Sequence, residues 1–189
     1  MRIIDLKPDN KYATKQAAKI LYEGFKDIWP NICPDVDAAA QVVQNSFDPG
    51  KVCRMAVNDG GELLGWIGAV ADYDGNAWCL YPLAVHPDFQ EQGVGRTLVA
   101  DLETQVRERG GITIYLGTDD TLGMTSLGGI DLYPNVIEHI ANIRNLQRHP
   151  FEFYQKLGYA IVGVIPDANG LGKPDIFMAK RLIDGRKRE

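Results

Sequence analysis

Gln90-Glu91-Gln92-Gly93-Val94-Gly95-Arg96 is the segment whose residue types and spacing carry the clearest chemistry in this 189-residue chain. Two glycines one residue apart let a backbone approach a ligand closely, and the periodic apolar run after them predicts a helix that begins there. The first N–H groups of a helix are unpaired donors in a region of partial positive charge, so they can hold a phosphate or pyrophosphate without a lysine. Arg96 adds a cation at the rim. A tight turn with no ligand is the competing reading. Two nucleotide-binding patterns are excluded. The Walker loop needs four residues between its glycines and then a Lys with Ser or Thr, whereas here one residue separates them and Arg96-Thr97 follows. The dinucleotide fingerprint needs a third glycine where this chain has Leu98.

The remaining chemistry-bearing side chains are sparse. His86, His139 and His149 show no ligand spacing with Cys, Asp or Glu, so no metal is expected. Cys33, Cys53 and Cys79 are odd in number and lack a CxxC pattern, which reads as buried thiols in a reducing compartment. With 45% hydrophobic and 24% charged residues, the composition fits one compact domain over residues 1–189. A formal charge of −5 argues against a nucleic-acid or anionic-membrane partner and suits a cationic small molecule. The opening MRIIDLKPDN lacks the apolar run of a signal peptide, and no later run reaches the length of a membrane span. A cytoplasmic location is therefore expected, and a homodimer is left open.

The elements that must position the glycine segment alternate in type along the chain, which predicts a mixed α/β fold. Arg2 to Leu6 reads as a strand, and Ala17, Ile20, Leu21 and Phe25 give helical spacing over Ala13 to Phe25. Asp35 or Asp37 can cap a second helix over Ala38 to Phe47. Val52 to Val57 and Leu63 to Val70 form a predicted hairpin about the turn residues Asn58-Asp59-Gly60-Gly61. Trp78 to Val85 reads as a central strand in which Pro82 cannot donate a ladder hydrogen bond, so a local irregularity is expected there. After the glycine segment, Leu98, Val99, Leu102 and Val106 define one helix face ending at Gly110-Gly111, and Ile112 to Leu116 is a strand. Gly117 to His149 is a Gly-rich insertion with a helix expected near Val136 to Leu146. Pro150 to Leu157, Tyr159 to Ile165 and Ile176 to Arg181 read as helix, strand and strand.

Two of these segments together resemble the GNAT acetyltransferases. Leu80-Tyr81-Pro82-Leu83-Ala84-Val85-His86-Pro87 followed by Gln90-x-x-Gly93-x-Gly95 is similar to that family's acetyl-CoA signature. Phe153-Tyr154-Gln155-Lys156-Leu157-Gly158-Tyr159 is similar to its second motif, in the right order and about sixty residues downstream. The resemblance covers Val52 to Arg181. It implies a mostly antiparallel central sheet flanked by helices, whose fourth and fifth strands splay apart. It further implies that backbone groups of Leu83, Ala84 and Val85 pair with the pantetheine arm and that an N–H at or near Leu83 polarises the thioester carbonyl. Gln90, Glu91, Gln92, Gly93, Val94, Gly95 and Arg96 would bind the pyrophosphate. Many family members carry an Asn and an Ala where this chain has Gln147 and Pro150, so the pantetheine contact usual there is left open.

The resemblance also sets the acid–base problem. An alkyl amine with a pKa of about 10.4 is neutral in roughly one molecule per thousand at about pH 7, so a proton acceptor is needed. Asp119 and Asp120 follow the predicted fifth strand, and Asp119 is the preferred base. Capping a turn is the alternative fate of that pair. Tyr154 matches the family position that faces the departing sulfur, as general acid or as hydrogen-bond donor. Proton transfer from a phenol to a thiolate is uphill by about 2 kcal/mol, which favours the second role.

The segment from His149 through Asn169-Gly170 to Ile176 is more loosely similar to aminoglycoside 6′-N-acetyltransferases. Asp119, Asp120, Asp131, Asp167 and Asp175 could surround the amines of a polycationic sugar, each having a turn role as its alternative. Trp29, Tyr22 and Tyr133 could form the acceptor wall, with core packing the alternative. The expected function is acetyl transfer from acetyl-CoA to an aminoglycoside or other small polycationic amine, with antibiotic resistance as the implied role. A protein or peptide N-acetyltransferase and a non-catalytic acyl-CoA-binding module are the alternatives.

Overall fold

The computed structural model describes residues 1–28 and 33–183. Trp29 and Pro30, named above, lie outside the described residues. Among the described residues seven strands are ordered β1 (Arg2–Asp5), β2 (Lys51–Val57), β3 (Leu63–Asp72), β4 (Ala77–Val85), β5 (Thr113–Asp119), β7 (Asp175–Arg181) and β6 (Ala160–Ile165). The pairs β1–β2, β2–β3, β3–β4 and β6–β7 are antiparallel, and β4–β5 is the parallel step. With five α-helices among the described residues, the fold is mixed α/β and mostly antiparallel, as expected. The chain groups into two compact units, Met1–Ile114 with the residues from Leu182, and Tyr115–Arg181.

In the first unit, α1 (Lys11–Phe25) starts where the Asn10 side chain accepts from Ala13 N at 3.1 Å. α2 (Val36–Asn45) starts two residues earlier than expected because Asp35 is its cap, accepting from Ala38 N at 2.8 Å. Such a cap stabilises a helix by about 1 kcal/mol. Trp66 is fully buried at the centre of the sheet among Leu6, Ala17, Leu21, Val43 and Met55, and its indole N–H finds the Ala17 carbonyl at 3.0 Å. A buried indole without that acceptor would leave its donor unpaired.

Pro82 is accommodated by its neighbour. The β3–β4 register slips between Ile67 and Ala69, opposite the cis Tyr81-Pro82 peptide, and a Cβ on Gly68 would stand 2.6 Å from the Tyr81 carbonyl oxygen. Glycine is therefore required for the strands to approach. α3 (Val94–Glu108) buries Leu98, Val99, Leu102 and Val106, each contributing about 1.5–3 kcal/mol. It is closed by Gly110 with a left-handed φ of 82° and by the Gly111 N–H on the Val106 carbonyl. Arg54 of β2 ties the α3 residue Asp101 at 2.7 Å to the β1 residue Asp5. The step from β4 to β5 begins where Ile112 and Thr113 both donate to the Asn76 carbonyl.

The second unit takes over β5 from Tyr115 and contains β6, β7, α4 (Val136–Ala141) and α5 (Phe151–Lys156). The helix expected over Val136 to Leu146 stops at Ala141. Beyond it the chain forms a bridge between Thr125 and Asn145, which takes those residues out of helical pairing. Among the cysteines, Cys33 and Cys53 are buried, and burial with the nearby Asp5 charge pushes the Cys53 thiol up to about 12. Cys79 corrects the expectation: it is only partly buried. No described helix is long and apolar enough to cross a membrane.

Candidate active site

In the first unit, the end of β4 and the start of α3 build a place for an anion. Gly65, Trp66 and Ile67 of β3 pair with Val85, Ala84 and Leu83. His86 N donates to the Leu64 carbonyl, and the pleat then turns Ala84 toward β3 and turns Leu83 and Val85 away from it. The Ala84 carbonyl lies against Gly65, where a Cβ would sit 2.7 Å away. Expecting Ala84 to offer its backbone to pantetheine is therefore corrected: its polar groups face β3. Leu83 and Val85 keep the orientation the expectation needs.

Between strand and helix, Gln90 Nε2 donates to the Val85 carbonyl at 3.3 Å and Gln92 Nε2 donates to the Asp88 carbonyl at 2.8 Å. Both glutamine side chains thus shape the loop, and what they can offer an anion is main chain. Glu91 has a left-handed φ of 60°, and its carboxylate would repel a phosphate. Gly93, at φ 85°, precedes the helix without any side-chain cap, and the first-turn residues carry no acidic group. The first intrahelical bond comes from Thr97 N to the Gly93 carbonyl, leaving the N–H groups of Val94, Gly95 and Arg96 without intrahelical acceptors. A Cβ on Gly93 would meet nothing within 4 Å, so the space beside these donors is open. Uncapped N–H groups, open space and the exposed Arg96 fit a diphosphate.

The second unit holds a cluster of carboxylates. β5 runs three residues past its expected end and delivers Asp119 as its last residue. Asp119 Oδ1 accepts from Asn169 Nδ2 at 2.5 Å, and the Asp119 carbonyl is 3.1 Å from His149 Nε2. Asp175, at the start of β7, lies over Gly117, where no Cβ would fit. Its Oδ1 is buried without a hydrogen-bond partner. Burial and the Asp119 charge raise the Asp175 carboxyl to about 6, against the lowering effect of the Thr118 backbone. Sequence reasoning counted Asp175 only as one of five acidic residues and missed Asn169 and His149. No sequence spacing relates these positions, since they meet only through the β5–β7 pairing and the loop before β7.

Asp120, the expected substrate contact next to Asp119, is corrected. It is 1% exposed and accepts from Met124 N, Thr125 N and Thr125 Oγ1 at 2.6, 2.9 and 2.7 Å, which makes it the organiser of its own loop. Asp131 accepts from Tyr133 N at 3.0 Å in a local turn, and Tyr133 is 66% exposed beside it. Asp167 accepts from Gly172 N at 2.6 Å as a turn residue. Tyr22 packs partly buried against the core of the first unit. Tyr154 is buried on α5 with edge-on contacts to Phe153 at 5.0 Å and Tyr159 at 5.6 Å. Burial pushes its phenol well above the usual range, so it is a hydrogen-bond donor at every physiological pH.

Comparisons with known proteins show what the chain is similar to. The acetyltransferase (GNAT) family pattern matches residues 17–128. A crystal structure of an aminoglycoside 6′-N-acetyltransferase complexed with coenzyme A is 42% identical, covering 97% of this chain and 98% of that one with a TM-score of 0.89. The aminoglycoside 6′-N-acetyltransferase from Enterococcus faecium is also 42% identical over the same shares, with a TM-score of 0.86. An acetyltransferase of Photorhabdus laumondii is 32% identical over 90 residues, which span 48% of this chain and 58% of that protein.

Proposed function

The chain belongs to the acetyltransferase (GNAT) family, and from that premise we propose that it transfers acetyl from acetyl-CoA to a primary amine of an aminoglycoside or another small polycationic molecule. The observation that carries the acceptor class is the placing of Asp119 beside Asp175, near enough that burial together with the Asp119 charge raises the Asp175 carboxyl to about 6. A cationic amine relieves that repulsion, and an uncharged acceptor does not. Near full-length similarity to aminoglycoside 6′-N-acetyltransferases supports the same class.

Acetyl-CoA supplies the activated acetyl thioester. The N–H groups of Val94, Gly95 and Arg96, with the Arg96 guanidinium, hold its diphosphate, and the backbone groups of Leu83 and Val85 align its pantetheine arm. Leu83 N–H polarises the thioester carbonyl. Asp119 takes a proton from the acceptor ammonium, freeing the nitrogen lone pair that forms the C–N bond as the C–S bond breaks. Tyr154 donates a hydrogen bond to the departing sulfur, and the thiolate takes up the second proton, which the nitrogen sheds once the C–N bond has formed. Proton transfer from Tyr154 itself is disfavoured by more than the about 2 kcal/mol that separates free phenol and thiol. Asp131 and Tyr133 extend acceptor contacts at the exposed turn before α4, and Tyr22 and Trp29 remain candidates for its aromatic wall. All 189 residues serve as one catalytic domain, working in the cytoplasm, with antibiotic inactivation as the physiological role.

The test is a thiol-release assay of acetyl-CoA against aminoglycosides, polyamines and peptide amines. Turnover with the polycationic small molecules is expected. Turnover confined to peptides would replace this reading with the protein N-acetyltransferase one, and intact acetyl-CoA throughout would leave a binding module.

A further inference from the structure

His149 lies in the insertion-side loop that leads into α5, and its side chain is among the most buried in the protein at 1% exposure. A polar ring so placed must have both nitrogens satisfied or lose the cost of its desolvation. Both are. Nε2 is 3.1 Å from the Asp119 carbonyl oxygen, an acceptor only, which requires Nε2 to carry the proton. Nδ1 then holds a lone pair and accepts the Phe151 N–H at 3.3 Å.

These two bonds join the two elements that bear the proposed acid–base groups. Asp119 is the last residue of β5, and Phe151 is the first residue of α5, three positions before Tyr154 on the same helical face. α5 has no other side-chain cap, since Pro150 precedes it, so the imidazole itself closes the helix start. The ring is held in turn. Asn145 grips the His149 backbone at both ends, accepting its N–H at 2.8 Å and donating to its carbonyl at 2.9 Å, and the Phe151 ring lies 5.7 Å away by centroids.

We infer that His149 is a positioning residue for acetyl transfer: one neutral imidazole bridges the β5 end carrying Asp119 to the α5 start carrying Tyr154 and fixes the placement of both. This inference rests on the acetyl-transfer reading above. Placement matters because a misalignment of about 1 Å can lower a rate by about a hundredfold while leaving binding intact. The neutral form is the one the geometry requires, since a proton on Nδ1 would face the Phe151 N–H donor. Burial favours that form and outweighs the opposing influence of the Asp119 carbonyl and of the Asp120 and Asp119 charges.

Two substitutions separate the two bonds. His149→Asn keeps an acceptor near the Nδ1 position and loses the reach to Asp119, whereas His149→Gln keeps a donor that reaches Asp119 and loses the helix cap. Each is expected to lower kcat about tenfold or more while KM for acetyl-CoA stays within about twofold. Either folded variant retaining kcat within about twofold of the parent overturns the inference, as does a rise in the acetyl-CoA KM that matches the loss in kcat. Nitrogen NMR of the imidazole in the unmodified protein tests the bridge without any substitution. His149 should be neutral with its proton on Nε2 at about pH 6.5, and a proton on Nδ1 overturns the inference. If the parent enzyme acetylates no amine, the function proposed above fails instead, and the NMR result reads the bridge separately.

Discussion

Asp119 Oδ1 receives the Asn169 Nδ2 donor at 2.5 Å, so the carboxylate at the end of β5 is aimed by a side chain fifty positions further along the sequence. The amide fixes the rotamer of a base held this way. The Asn169 backbone is itself fixed, its N–H donating to the Lys173 carbonyl at 3.0 Å. The base therefore depends on the loop before β7 as much as on β5.

Replacing Asp119 with Asn removes the proton acceptor and should lower kcat by about 10²–10⁴-fold near neutral pH. At high pH, where free amine is more abundant, part of the rate should return. A pH–rate profile of the variant checks both parts, and unchanged activity across the profile would end the assignment of Asp119 as base. Asn169→Ala should give a smaller loss, about tenfold, with the thermal midpoint nearly unchanged.

Asp175 gives a titration in a stated window. Its carboxyl, raised to about 6, is neutral below that value and charged above it. Because the folded-state value lies above the unfolded one, folding favours the protonated form, and stability is lost as pH rises from the ordinary carboxylate range through about 6. Asp175→Asn should therefore melt at a higher temperature than the parent at about pH 7.5 and at the same temperature below about pH 4. Calorimetry at the two pH values decides the matter. In the Asp119→Asn protein the Asp175 titration should move to lower pH, since the charge opposing its ionisation is gone.

Tyr154→Phe removes only a hydroxyl from a buried, edge-packed ring, so the fold and cofactor affinity should survive. The expected result is a fall in kcat of about ten- to a hundredfold with the acetyl-CoA KM unchanged, measured by initial rates. The parent enzyme should show no alkaline limb from this phenol, whose proton burial retains.

Gly93→Ala separates backbone strain from ligand contact. The left-handed φ of 85° makes a side chain unfavourable there by about 1–2 kcal/mol, yet no protein atom stands within 4 Å of the new Cβ. A lower melting temperature should therefore accompany a weaker coenzyme A affinity by titration calorimetry. Full retention of affinity would remove the α3 N-terminus from the binding site.

Much of the fold was readable because local chemistry decided it. The β2–β3 hairpin followed from Asn58 to Gly61, α3 from its apolar face and terminal glycines, and the β3–β4 irregularity from Pro82. Gly68, which makes room for that proline, could not be inferred, because its partner is on another strand. The 117–149 insertion was read least well. Its conformation comes from side chains bonding to main chain, as Asp120 does to Met124 and Thr125, and such bonds leave no period in a sequence. The same reason hid half of the site. The glycine segment announces itself by spacing, whereas Asp119, Asn169, Asp175 and His149 acquire their relation only once β5, β7 and α5 are assembled.

The three donors gathered by Asp120 have one further effect. They cinch the chain into a closed knuckle whose crest, at Leu122, is 54% exposed. Substitutions along that crest can change the surface offered to visiting molecules while the knot beneath keeps its shape. New substrate preferences can thus arise here by drift, with neither the sheet nor the neighbouring carboxylates being disturbed.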